Sequence, residues 1–159
     1  MKVLITDDDA DSRELVRLTL ALHKIQVVEA AGGTECLAVA QEARPDAILL
    51  DVMMPFMDGP TTLAALRANP ATASIPVIFL TASVMPTEVE RLKKMGARAV
   101  VAKPFDPFAL PALAVSAYAR ESDLRKALAA GFRVHLAKPV AARELVNEVA
   151  RAAGRVGAN

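Results

Sequence analysis

With 159 residues, 53% of them hydrophobic and 23% charged, the chain has the length and composition of one compact domain, or one domain with an extension. Disordered and fibrous classes are excluded on that balance. Charges nearly cancel, 19 Lys plus Arg against 18 Asp plus Glu, so no global field favours nucleic acid or an anionic membrane, and neither partner is expected.

Taken in chain order, short branched runs alternate with Ala-rich amphipathic stretches. Lys2 to Thr6, Gln26 to Ala30, Ala47 to Leu50, Val77 to Thr81 and Ala99 to Ala102 read as strands. Between them, Asp11 to Leu22, Gly33 to Glu42, Pro60 to Asn69 and Thr87 to Met95 carry helical spacing, and Leu15, Leu18 and Leu22 share one face of the first helix. Strand and helix alternating at this pitch require a parallel sheet with right-handed crossovers, because parallel neighbours need a long connection. The fold class is therefore α/β, a doubly wound five-stranded parallel sheet with helices on both faces. Met1 leads straight into the first strand without the layout of a signal peptide, and no apolar run reaches membrane-spanning length. With a single cysteine, Cys36, set in an apolar helical pattern, a cytoplasmic location is expected, and Cys36 reads as a buried small hydrophobe.

In open parallel sheets the reactive groups gather at the carboxyl edge of the strands. Here Asp7, Asp8 and Asp9 follow the first strand, Asp51 ends the third, Thr81 ends the fourth, and Lys103 and Pro104 follow the fifth. Clustered carboxylates repel one another unless a cation sits among them, and a hard divalent ion such as Mg²⁺ suits an all-oxygen pocket. Asp8 and Asp51 read as direct ligands, with Asp7 behind them orienting a metal-bound water and pairing with Lys103. A carboxylate can also act as a nucleophile toward a phosphoryl group whose charge is neutralised. Asp51 is central and reads as the acceptor, with Lys103 and the Thr81 hydroxyl meeting phosphoryl oxygens.

Other polar residues read blandly. Asp9 and Asp11 read as helix caps, Asp58 and Gly59 as a turn without chemistry, and Met53, Met54 and Met57 as packing side chains. Two histidines, His23 and His135, without flanking ligands do not make a zinc site.

At these residues the sequence resembles the receiver domain of two-component response regulators. KVLITDDDADSRELV is similar to the family's opening strand and acidic pair, carried by Asp7 and Asp8; LLDVMMPFMDG is similar to its phosphorylation-site strand and loop; FLTAS and VVAKPF are similar to its hydroxyl and Lys-Pro elements. Intervals of 30 residues from Asp51 to Thr81 and 22 from Thr81 to Lys103 also suit it. The resemblance covers about residues 1–106, or to 120 with a fifth helix, and implies a flavodoxin-like sheet of order 2-1-3-4-5. It further implies Mg²⁺-dependent phosphorylation on Asp51, a metal contact from the Met53 backbone carbonyl, switch roles for Thr81 and Lys103, and a cis peptide before Pro104. Implied partners are a sensor histidine kinase or histidine phosphotransfer protein and a downstream protein, so the chain is expected to signal rather than to act as an enzyme. Three residues before the lysine the family commonly carries Tyr or Phe; Val100 stands there instead. A phosphohydrolase of the haloacid dehalogenase type would also use an aspartate nucleophile with Mg²⁺. It expects a second Asp two residues on, where this chain has Met53. A pseudo-receiver that binds a partner without phosphorylation is the remaining alternative.

The C-terminal extension, 107–159, resembles the back half of a second receiver. Sliding the chain by 35 residues places Thr81 on Ser116, Gly96 on Gly131, and Ala102-Lys103-Pro104 on Ala137-Lys138-Pro139. No acidic pair or phosphoacceptor accompanies it, so Ser116 and Lys138 read as relics or structural residues. Leu110 to Ala117 is open between an antiparallel edge strand and the receiver's fifth helix; the helix is preferred, with Leu110, Leu113, Ala114, Ala117 and Tyr118 on one face. Asp123 to Ala130 reads as helix, Arg133 to Ala137 as strand and Ala141 to Ala153 as a final helix. Neither a helix-turn-helix with a basic face nor a cyclase motif is visible, so output is expected through protein contacts. A half receiver would leave apolar faces that either pair two chains through Leu136, Leu145 and Val149 as a homodimer, the outcome slightly preferred, or pack against the chain's own receiver.

Overall fold

The computed structural model describes residues 1–21, 24–82, 85–103 and 147–154. Nine elements alternate along the chain: β1 (Lys2–Thr6), α1 (Ala10–Ala21), β2 (Gln26–Ala30), α2 (Gly33–Ala43), β3 (Ala47–Asp51), α3 (Gly59–Ala68), β4 (Val77–Thr81), α4 (Pro86–Lys94) and β5 (Ala99–Ala102). All strand pairs are parallel, in the order β2-β1-β3-β4-β5. The five-stranded, doubly wound parallel sheet expected from the alternation, and the flavodoxin-like strand order implied by the resemblance, are the ones observed. Helix ends fall within a residue or so of the expected ones, and β3 runs one residue further, so that Asp51 is its last residue.

Period-two alternation divides the strand side chains between two cores. Leu4, Ile48, Leu50, Val77 and Phe79 point to one face, where Cys36 and Ala40 of α2, Leu63 and Leu66 of α3 and Leu92 of α4 cover them. Val3, Ile5, Leu49, Ile78, Leu80 and Val101 point to the other, where Val16 and Leu20 of α1 lie. β3 and β4 are buried along their whole length, as their continuously apolar sequences require. The buried stripe of α1 differs from expectation. Val16 and Leu20, an i, i+4 pair, face the sheet, whereas Leu15 and Leu18 are half-buried and Leu22 lies outside the described residues. Leucine spacing alone located the helix but not its rotation, which the buried Val16 and Leu20 show.

Residues 147–152 form a helical segment on this second face, ending at Gly154, whose φ of 68° suits the left-handed turn after a helix. Val149 is fully buried among Val16, Leu20, Ile78 and Val101, with Ala152 packed beside them. Val149 is thus spent inside its own chain and is not free to pair with a second copy, contrary to the dimer contact expected of it. Leu136, Leu145, Ser116, Lys138 and the 110–118 segment lie outside the described residues.

Local chemistry explains the helix starts that shape the carboxyl edge. Asp9 caps α1, its carboxylate accepting from the Asp11 amide at 3.0 Å and its carbonyl from the Arg13 amide. Asp58 caps α3, accepting from the Thr61 amide at 2.8 Å, with Pro60 in the first turn. α4 carries Glu88 in its first turn and Arg91, Lys93 and Lys94 in its last, in line with the helix dipole.

Candidate functional site

The strand register brings the sequence's reactive residues to one edge. Thr6 of β1 pairs with Leu50 of β3, Asp51 with Leu80 of β4, and Thr81 with Ala102 of β5. The next residue of each strand therefore carries its side chain to the same end, and Lys103 is tied in by its amide donating to the Thr81 carbonyl at 2.7 Å. Carboxylate oxygens of Asp7, Asp8 and Asp51 lie within 4.8 Å of one another, with Asp7 and Asp51 buried and Asp8 exposed.

Lys103 stands between two of them. Its ammonium donates to Asp7 Oδ2 at 2.8 Å and lies 3.2 Å from Asp51 Oδ2. Burial pulls the Lys103 ammonium down, but the two carboxylates outweigh it and hold the group above the ordinary lysine range. Asp51 moves up from the ordinary carboxylate value because of burial first and the Asp7 charge second; Lys103 and the Met53 backbone only partly oppose this. Three carboxylates against one ammonium leave a surplus of two negative charges if all are ionised (3 − 1). An all-oxygen donor set with that surplus fits a hard divalent cation.

Asp7 is held by more than Lys103. Its Oδ1 accepts from the Asp9 amide at 2.9 Å, its Oδ2 from the Ser12 hydroxyl at 2.7 Å, and its backbone carbonyl from Arg13 Nη1 at 2.7 Å. The acidic spacing does not single out Ser12 or Arg13. The available signal was their place in the first turns of the helix that opens beside Asp7.

Gly59 also matters more than a turn residue would. Its amide donates to the Val52 carbonyl at 2.9 Å, and a Cβ there would stand 2.3 Å from the Asp51 carbonyl oxygen and 2.9 Å from Val52 Cα. The start of α3 is thereby pressed against the backbone that carries Asp51. Of the methionines in this loop, Met54 is buried, but Met53 is 78% exposed and so is not the packing side chain expected. Phe56 is fully exposed at a φ of 64°. Thr81 is buried at the end of β4, and Val100 is half-buried against the α2–α4 core. Cys36 is buried, and burial pushes its thiol up to about 11, with Thr6 partly offsetting; it is an inert core residue. Pro104 lies outside the described residues, and with it the cis peptide expected there.

Residues 3–114 match the response regulator receiver domain. The chain belongs to that family. It is 32% identical over 122 residues to the DNA-binding response regulator MtrA of Mycolicibacterium paratuberculosis, covering 77% of this chain and 53% of that one. It is 32% identical over 105 residues to PilH of Pseudomonas aeruginosa, covering 66% of this chain and 87% of that one. Among solved structures, the chemotaxis protein CheY4 of Vibrio cholerae superposes with a TM-score of 0.62 at 39% identity, covering 67% of this chain and 88% of that one. The chain spans about half the length of the MtrA relatives it matches. Relatives named as DNA-binding give no support to the expectation that nucleic acid plays no part. MtrA is a response regulator by name, and no described helix is long and apolar enough to cross a membrane.

Proposed function

We propose that the chain is a phosphoacceptor receiver, taking a phosphoryl group onto Asp51 and changing a protein-interaction surface in response. The observation that carries the reading is the ammonium of Lys103 set between Asp7 and Asp51, beside three carboxylates that carry a surplus of negative charge. In the transfer step an Asp51 carboxylate oxygen forms a bond to phosphorus as the donor's P–N bond breaks. The product is an acyl phosphate, and the donor imidazole leaves and takes a proton from solvent. Asp8 and Asp51, with the Met53 carbonyl, would hold Mg²⁺, which when bound offsets charge on the phosphoryl oxygens. Lys103 meets a second oxygen as a point charge, and the Thr81 hydroxyl donates to a third. Asp7 keeps Lys103 at the edge and orients water at the metal position.

The donor is a phosphohistidine on a sensor kinase or phosphotransfer protein, and the readout is a downstream protein. Burial of Asp51 serves this chemistry, since a poorly hydrated carboxylate is less shielded from an incoming phosphorus. The test is incubation with acetyl phosphate and Mg²⁺ followed by intact-mass measurement. One phosphoryl adduct is expected, and it should vanish in excess chelator. An unmodified chain under conditions that keep it folded would leave a phosphorylation-independent binding module, the reading that Val100 at the usual aromatic position would then favour.

A further inference from the structure

We infer that Ser12 is a positioning residue for this reaction, acting through Asp7 to set where Lys103 stands; the inference rests on the receiver reading above. A carboxylate offers about four lone-pair sites, and three of those on Asp7 are taken by named donors. The Asp9 amide fixes Oδ1 at 2.9 Å, while the Ser12 hydroxyl at 2.7 Å and the Lys103 ammonium at 2.8 Å share Oδ2. Asp7 is 1% exposed, so water does not stand ready to replace a lost donor.

The sharing has a consequence for the neighbouring carboxylate. Lys103 lies 3.2 Å from Asp51 Oδ2, further than from Asp7, so its reach toward the reacting oxygen depends on the plane in which the Asp7 carboxylate is held. Two donors at the start of α1 define that plane: the Asp9 amide at its cap and the Ser12 hydroxyl in its first turn. Without the hydroxyl, one anchor remains. The carboxylate then turns about its Cβ–Cγ bond and takes Lys103 with it, away from the position that meets a phosphoryl oxygen. Ser12 touches neither phosphorus nor the acceptor, and its effect passes entirely through one oxygen of Asp7.

The experiment uses the full chain and compares Ser12→Ala with Ser12→Thr, alone and in a Lys103→Ala background. Adduct formation from acetyl phosphate with Mg²⁺ should be about fivefold slower in Ser12→Ala, the effect of one misplaced hydrogen bond. Ser12→Thr keeps the hydroxyl and should restore most of the rate. In the Lys103→Ala background the serine substitution should add little, because the group it positions is gone. A parent-like rate for Ser12→Ala, or an equal slowing with and without Lys103, would overturn the assignment. Melting temperatures give a second arm that needs no phosphorylation: losses from Ser12→Ala and Lys103→Ala should be non-additive, and strictly additive losses would also overturn it. If the parent takes no phosphoryl group, the phosphoacceptor reading fails, and the melting arm alone decides whether Ser12 places Lys103 through Asp7.

Discussion

Gly59→Ala places a methyl group where the chain has no room. The added Cβ would lie 2.3 Å from the Asp51 carbonyl oxygen, 2.8 Å from Phe79 Cε1 and 2.9 Å from Val52 Cα. Two of these atoms are backbone, one in the last residue of the buried β3 and one in the residue after it, so neither can rotate aside. Overpacking of this kind costs about 2–3 kcal/mol. For a chain of this size that corresponds to a melting temperature lowered by roughly 5–10 °C. The same contact bears on function, because relief requires α3 to back away from the Asp51 backbone, and adduct formation at Asp51 should slow along with the loss of stability. Two other glycines calibrate the effect. At Gly33 a Cβ would meet Thr62 Oγ1 at 2.3 Å and Met57 side-chain atoms at 2.7 and 2.8 Å, and side chains can shift, so Gly33→Ala should cost less. At Gly32 nothing stands within 4 Å, and Gly32→Ala should change stability by at most about 0.5 kcal/mol. Thermal denaturation of the three variants, with the acetyl phosphate assay on each, checks the order. A Gly59→Ala protein as stable as the parent, or less affected than Gly33→Ala, would refute the argument that α3 is pressed against the acceptor strand.

Val149→Ala should cost about 1–3 kcal/mol, since the side chain is fully buried beside α1 and β5; an unchanged melting curve would detach residues 147–152 from the core. Asp8→Ala should keep or raise the melting temperature without metal, because it removes one of three mutually repelling carboxylates, and should lose the stabilisation that Mg²⁺ gives the parent. An undiminished Mg²⁺-induced shift would count against Asp8 as a ligand. For pH, the folded Asp51 lies above its ordinary 3.8, so the folded state holds that proton more tightly than the unfolded chain does. Stability attributable to Asp51 therefore falls as pH rises from about 3.8 through the folded value. Asp51→Asn should accordingly melt higher than the parent at neutral pH, with the gap closing on acidification; urea titrations at several pH values would show it, and a gap that widens toward acid would contradict it.

The alternation of branched and amphipathic runs made the sheet legible, because parallel neighbours leave few ways to connect strands. That Asp7, Asp8, Asp51, Thr81 and Lys103 come together was legible for the same reason: each stands at or just after a strand end, and the register sends those ends to one edge. Ser12 and Gly59 were not. Serine in a first helical turn is an ordinary residue until its hydroxyl is seen on Asp7 Oδ2, and Gly59 reads as a turn until the approach of the Asp51 carbonyl is measured. The place of residues 147–152 was hidden as well. Helical spacing over 141–153 predicts a helix but does not say which surface it meets, and Val149 in the α1 core shows that residues 147–152 lie on that face of the sheet.

The central claim is that Asp51 receives the phosphoryl group. Reduction of the acetyl phosphate-treated protein with borohydride converts an aspartyl phosphate to homoserine, and peptide mapping then reads the position. The account predicts homoserine at position 51 alone, formed only with Mg²⁺ and absent from Asp51→Asn. Homoserine at Asp7 or Asp8, or an adduct that persists in Asp51→Asn, would contradict it.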